Sequence, residues 1–292
     1  MLDKGLTPLV EAALKRYFPK GNKYTKVLLA AMAYSLFLPS KRFRPILTML
    51  VAEACGYDSR LVLPTACAIE FIHTYSLIHD DLPELDNGQL RRGKPTCHLV
   101  YGPDIALLAG DALFAEAFVL IAQHQVGTET QKLKVMSELA AACGVSGMVG
   151  GQVADVEAAK KLAQSQEAET LNFIHTHKTG RLIQAAAYCG AVLAGADGEV
   201  LNKVAAYGGQ LGLAFQIVDD ILDDVGDIKS MGKTKGKDKE LNKLTFVKLY
   251  GLDKAKKKAQ EAVEKAVAYI TSADLKSNQL VDLAYFVLER QS

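Results

Sequence analysis

The chain has 292 residues, with 34 Lys and Arg against 33 Asp and Glu, a formal charge of +1 and a hydrophobic share of 49%. Those values exclude disordered, collagen-like and disulfide-scaffold classes. A neutral chain also lacks the basic surplus with which nucleic-acid binders displace counterions from phosphates, so any anion site must be local.

The N-terminus, MLDKGLTPLV, lacks the charged and apolar regions of a signal peptide, and the apolar stretch 105–122 contains Asp111 and Glu116. Neither secretion nor stable membrane insertion is expected, and the expected compartment is the cytoplasm. Polar breaks fall at 39–45 (PSKRFRP), 83–103 and 226–243. Residues 61–79 and 204–222 are apolar around most of a helix, which predicts two central, buried helices. All eight prolines lie at or before Pro103, so the remainder of the chain is free to run as long helices. The five cysteines, at 55, 67, 97, 143 and 189, are scattered and form no CxxC pair, the pattern of reduced structural thiols. With neither a Ser/Pro-rich hinge nor a solenoid period, residues 1–292 read as a single helical domain.

Two acidic clusters carry the chemistry. IHDDLPELDNGQLRRGKPT places Asp80, Asp81, Glu84 and Asp86 behind the first apolar helix. On an ideal helix Asp80 and Asp86 would point about 240° apart, and Pro83 is expected to turn the chain so that they converge. QIVDDILDDVGD sets Asp219 against Asp223, and Asp220 against Asp224, at i, i+4, with no base until Lys229. Like charges at that spacing call for a counterion, and a hard cation such as Mg2+ is the natural one, although a solvated acidic helix end is the plainer reading of either cluster alone. Cationic residues at 41, 42, 44, 91, 92, 94, 178, 181, 233, 235 and 237 sit mostly in breaks and suit phosphate oxygens. The lysine run at 229–243 is by itself as consistent with a solvated face.

In the order IHDDLPELDNGQLRRGKPT, GGQVADV, HKTGRL, GLAFQIVDDILDD and MGKTKGKD, these stretches resemble the trans-prenyl diphosphate synthases, specifically bacterial-type farnesyl diphosphate synthases and their geranylgeranyl relatives. The resemblance implies an all-α isoprenoid synthase fold, a helical bundle around a deep central cavity, and a likeness to homodimeric enzymes. It implies head-to-tail condensation of isopentenyl diphosphate with dimethylallyl or geranyl diphosphate, assisted by three Mg2+ ions. Asp80, Asp86, Asp219 and Asp223 would hold the metal, with Asp81, Glu84 and Asp220 as nearby ligands or supports. Arg91, Lys178, Gln216 and Lys233 match the family's contacts to the allylic substrate; Lys41, Arg44, His73 and Arg92 match its pocket for isopentenyl diphosphate. Thr179 and Gln216 would steady the transient allylic cation.

His73 precedes Asp80 by seven residues, two helical turns, so both share one face. Tyr75, five residues before Asp80 and flanked by Ser76, stands where the family's pocket floor lies, which implies a C15 product. His175 and His177, at i, i+2, are poor partners on a helix, which leaves Lys178 as the residue of interest there. The segment 226–243, with Gly226, Gly232 and Gly236, reads as a lid. A geranylgeranyl diphosphate synthase of the same family, then a terpene cyclase or a noncatalytic subunit of a heteromeric prenyl synthase, are the competing readings; the DDILDD motif speaks against the cyclase and the retention of both aspartate sets against the noncatalytic subunit.

Overall fold

The computed structural model describes residues 5–160, 167–225 and 243–290. Its helices are α1 (Leu6–Tyr17), α2 (Lys26–Leu36), α3 (Phe43–Ala54), α4 (Leu63–Asp80), α5 (Cys97–Tyr101), α6 (Pro103–His124), α7 (Glu129–Cys143), α8 (Met148–Lys160) and α9 (Glu167–Ile174). A π-helical turn, His175–Gly180, leads into α10 (Arg181–Leu193), followed by α11 (Gly198–Val225), α12 (Phe246–Tyr250), α13 (Leu252–Thr271) and α14 (Asn278–Glu289). Among the described residues the only strands are the two-residue pair β1 (Leu90–Arg91) and β2 (Lys94–Pro95), antiparallel with Arg91 opposite Lys94. The fold is all-α, as the composition predicts.

Both helices expected to be central are so. Residues 63–80 and 198–225 run without a break, and Ile69, Phe71 and Ile72 of α4 and Tyr207, Leu211 and Ile217 of α11 are almost wholly buried. Pro64 and Pro103 sit in the first turns of α4 and α6, where the missing N–H costs no helical hydrogen bond. α4 packs on α6 and α3, and α11 on α13, α10 and the π-turn. One continuous cluster of buried apolar side chains reaches from Leu6 to Val287. The cysteines are free, and all but Cys55 are buried.

Ser59–Asp80, Pro103–His124 and Glu129–Lys160 are long and apolar enough to cross a membrane by length and composition; in α6 the three acids, Asp104, Asp111 and Glu116, do not offset its many Leu, Ile, Val, Phe and Ala residues. Within the fold, 72% of the first span's apolar window is buried but only 39% of the other two. Leu107, Leu108 and Val119 of α6 and Val149 and Val153 of α8 are exposed.

Candidate active site

The site is built where α4 stops. The chain leaves α4 at Asp81, passes Pro83 and returns so that the Asp86 N–H donates to the Asp80 carbonyl at 2.9 Å. Asn87, at φ 46°, completes the turn, and the Gly88 N–H donates to the Asp81 carbonyl. The expected convergence of Asp80 and Asp86 is therefore present, with Glu84 exposed on the excursion. The hairpin that follows turns at Arg92–Gly93, both with positive φ (52° and 74°), as a two-residue primed turn requires. It separates two adjacent arginines. Arg91 grips Asp81 through Nε (3.0 Å) and Nη2 (2.6 Å), whereas Arg92 Nη1 reaches the Leu38 carbonyl at 3.4 Å.

Burial pushes the Asp80 carboxyl above its ordinary range; Lys178 opposes that shift and Asp86 adds to it. Lys178 donates to Asp155 Oδ2 at 2.7 Å. Burial alone would lower its pKa, but Asp80, Asp155 and Asp86 outweigh this and hold the ammonium above its usual value. Lys243 lies between Asp86 (2.9 Å) and Asp155 (3.7 Å). Asp155 and Asp86 thus each have a protein cation at hydrogen-bond distance.

Lys178 and Thr179 occupy the π-turn, whose i→i+5 pattern re-aims side chains relative to an α-helix. Glycines permit the close packing that holds this turn. A Cβ on Gly151 of α8 would stand 2.2 Å from the Lys178 nitrogen, and one on Gly212 of α11 would stand 2.7 Å from the Gly180 Cα. Across the α11 contact, Thr179 Oγ1 donates to Gln216 Oε1 at 2.7 Å, and Gln216 Nε2 donates to Asp220 Oδ1 at 3.1 Å. Asp220 Oδ2 accepts two further hydrogen bonds at 2.8 Å, from His175 Nε2–H and from the Phe246 N–H that begins α12. Residues of the π-turn, α11 and the approach to α12 line a pocket with Asp155 and Lys243.

Asp219 lies one position earlier and takes another direction: its Oδ1 accepts from Arg290 Nη2 at 2.7 Å. Asp223 follows Asp219 by one turn and is half-buried.

The second basic group forms around the N-terminus of α3. Arg42, at φ 46°, is fully buried and bound by Glu11 (2.6 Å), Glu70 (2.6 Å) and the Leu36 carbonyl (2.8 Å), so its fork is consumed internally. Its neighbours are placed differently. Lys41 is exposed, and its pKa is lowered by burial of part of the chain and by Arg290, against Asp219. Arg44 is buried with its Nε unpartnered; burial brings its pKa down to about 10, Glu70 and Asp219 opposing and Arg290 and Arg92 contributing. Burial and then Arg44, Arg92, Arg91 and Arg42 push His73 well below its usual value, which keeps the imidazole neutral. Arg44, His73 and Arg92 are thus close enough to act on one another electrostatically. Lys233 and the lid expected at 226–243 lie outside the described residues, apart from Lys243.

Toward the apolar end, the Tyr75 ring is 8% exposed and meets Phe114 edge-on at 5.0 Å and His79 at 5.5 Å. Ser76 spends its hydroxyl on the His73 carbonyl at 2.8 Å.

Four residues enter the site that the sequence reading did not assign: Asp155, His175, Lys243 and Arg290. Asp155 lies inside the GGQVADV stretch already singled out, but the other three act through contacts that span 45 to 157 residues. Among the described residues, no three Asp, Glu, His or Cys side chains already stand at metal-coordinating spacing. The donor set nevertheless fits a hard cation. Its atoms are carboxylate oxygens, and Asp80 is half-buried near Asp86 with its ionised form disfavoured, an imbalance that a divalent ion would relieve.

The family described as polyprenyl synthetase matches residues 25–284. The chain is 44% identical over 282 residues to a dimethylallyltranstransferase of Fischerella ambigua, covering 96% of this chain and 80% of that one. It is 44% identical to a farnesyl diphosphate synthase of Geobacillus stearothermophilus, covering 96% and 94%. Its fold superposes with a TM-score of 0.85, at 32% identity and with 97% and 94% coverage, on a geranyltransferase of Helicobacter pylori solved with magnesium and isoprenyl diphosphate. Paired acidic helix ends, the cationic turn between them and similarity along nearly the whole length agree, and the chain belongs to the polyprenyl synthetase family of trans-prenyltransferases.

Proposed function

We propose that this chain, acting as one domain over residues 1–292, condenses isopentenyl diphosphate head-to-tail with dimethylallyl and then geranyl diphosphate to give (E,E)-farnesyl diphosphate. The carrying observation is Tyr75. It lies five residues before Asp80 on α4, about 7.5 Å along the axis at 1.5 Å per residue, and is backed by the Phe114 ring at 5.0 Å. A buried Tyr75 backed by the half-buried Phe114 at that depth would leave room for a C15 chain and stop a longer one.

Asp80, Asp86, Asp219 and Asp223 would hold Mg2+, three ions in all, which when bound neutralises charge on the departing diphosphate. Asp81 and Asp220 act as supports, since one holds Arg91 and the other ties His175, Gln216 and the start of α12 together. Arg91, Lys178 and Lys243 present cations to the allylic diphosphate, and Lys233 is assigned there from the family resemblance alone. Lys41, Arg44, His73 and Arg92 take the diphosphate of isopentenyl diphosphate, where protein cations bind an anion that must stay intact. The Thr179 and Gln216 oxygens stand beside Lys178 and favour the allylic cation as its C–O bond opens; C–C bond formation follows, and the released diphosphate accepts the proton. Exposed Leu107, Leu108, Val119, Val149 and Val153 support burial of α6 and α8 against a second copy, a cytoplasmic homodimer, rather than against lipid.

The test is incubation of purified protein with labelled isopentenyl diphosphate and geranyl diphosphate, with Mg2+ or EDTA, and resolution of the dephosphorylated products by length. Mg2+-dependent farnesol from the wild type and geranylgeraniol from Tyr75→Ala are expected. Geranylgeraniol from the wild type would overturn the assignment of Tyr75 and retain the reaction; cyclic hydrocarbon would overturn the reaction.

A further inference from the structure

Arg290 follows the end of α14 and touches two parts of the site at once. Its Nη2 holds Asp219 Oδ1 at 2.7 Å, its guanidinium carbon lies 3.7 Å from the centroid of the Phe215 ring, and its side chain is only 7% exposed. Its Nη1 is buried and has no hydrogen-bond partner. Arg44 lies near the same ring, 5.9 Å from the centroid, and its Nε is likewise buried without a partner. The two arginines oppose each other electrostatically, and Arg290 also disfavours the charged form of Lys41. Two arginines from separate elements therefore gather around Phe215, each with an unfilled donor, and Asp219 is a carboxylate that offsets both Arg44 and the nearby Lys41.

We propose that Arg290 changes partners: when a divalent cation takes Asp219, Arg290 releases that carboxylate and turns its fork to the diphosphate of isopentenyl diphosphate held by Lys41 and Arg44. The physical reason is that a carboxylate coordinating a divalent ion has less charge to offer a guanidinium, and a buried guanidinium that loses its anion needs another. The unpartnered donors on Arg290 and Arg44 are where that anion fits. One ion-pair exchange then links the two sites, so that metal at Asp219 raises affinity in the nonallylic pocket, and by reciprocity an anion in that pocket raises affinity for the metal. This inference rests on the reading of Asp219 as a metal-holding carboxylate and of Lys41 and Arg44 as the nonallylic pocket.

The experiment is calorimetric titration of isopentenyl diphosphate alone, without allylic substrate, into the full-length protein in EDTA and in Mg2+. Asp219→Asn removes the competing charge without metal, so in EDTA it is expected to bind about tenfold more tightly than wild type, within the usual range of coupling between sites. Arg290→Gln is expected to lose both this gain, in the double variant, and most of the gain that Mg2+ gives the wild type. Equal tightening by Mg2+ in wild type and Arg290→Gln overturns the exchange, as does an Asp219→Asn protein that binds no better than wild type in EDTA. If Arg290→Gln does not fold, Asp219→Asn alone decides. Lys41→Gln separates the underlying reading: unchanged affinity there overturns the pocket itself, whereas weakened affinity with no effect of Asp219→Asn overturns only the exchange.

Discussion

Asp80–Asp81 at the end of α4 and Asp219–Asp220 near the end of α11 are both adjacent carboxylate pairs on buried helices, and in both the second member is withdrawn into the protein. Asp81 is 3% exposed and Asp220 4%. They differ in what holds them. Asp81 depends on one fork, Arg91, supplied ten residues later by a local hairpin. Asp220 is shared among Gln216 on its own helix, His175 on the π-turn and the backbone of Phe246. One end is locally assembled around a single strong pair; the other is assembled by tertiary structure and spreads its support over three donors. The first members, Asp80 and Asp219, stay half-buried.

This contrast can be broken at its sharpest point by Arg91→Met. It leaves a buried carboxylate without its cation, so a loss of about 3–5 kcal/mol is expected in denaturant unfolding. A loss below about 1 kcal/mol would show that Asp81 is not held by one pair. Asp80→Asn comes next: under the proposed function kcat is expected to fall by about 10²–10³-fold with unfolding little changed, as measured by steady-state turnover and chemical denaturation in parallel. His175→Phe should cost less than Arg91→Met, about 1–3 kcal/mol, because Asp220 keeps two of its three donors.

The smallest effect concerns pH. His73 has a folded pKa pushed down by burial and by Arg44, Arg92, Arg91 and Arg42, so below about pH 6.5 the unfolded chain takes up a proton that the folded one refuses. Stability should therefore fall as pH drops from 6.5 toward the folded pKa, and thermal melts of His73→Gln should show a shallower acid slope than wild type. An identical slope in both proteins would remove His73 from the cationic cluster.

The long elements were readable because their signal is compositional. An apolar surface all round marked α4 and α11, and the absence of proline after Pro103 left no strong helix breaker in the later chain. Pro83 also announced the turn that brings Asp86 back to Asp80. The π-turn left no comparable trace: HKTGRL has ordinary helix composition, and an i→i+5 pattern is set by what packs around it, here Gly151 and Gly212. The i, i+2 spacing of His175 and His177 pointed away from His175, whose partner is Asp220, 45 residues away. Acid clusters without a nearby base suggested a metal, yet Arg290 and Lys243 supply bases from 71 and 157 residues off. Spacing along a chain encodes partners within a helix, not those that tertiary folding delivers.

The two glycines that press on the π-turn make a statement about tolerance to mutation. Neither carries a functional group, and yet alanine at Gly151 would meet backbone at 2.2 Å and at Gly212 backbone at 2.7 Å. No rotamer change relieves a clash between a Cβ and main chain, so the helices themselves must separate, and Lys178 and Thr179 would be carried away from Asp80 and Gln216. By contrast, Gly198 begins α11 with open space around it and no positive φ. In a saturation library selected for prenyl transfer, positions 151 and 212 should therefore rank with the aspartates in intolerance, while position 198 accepts most residues.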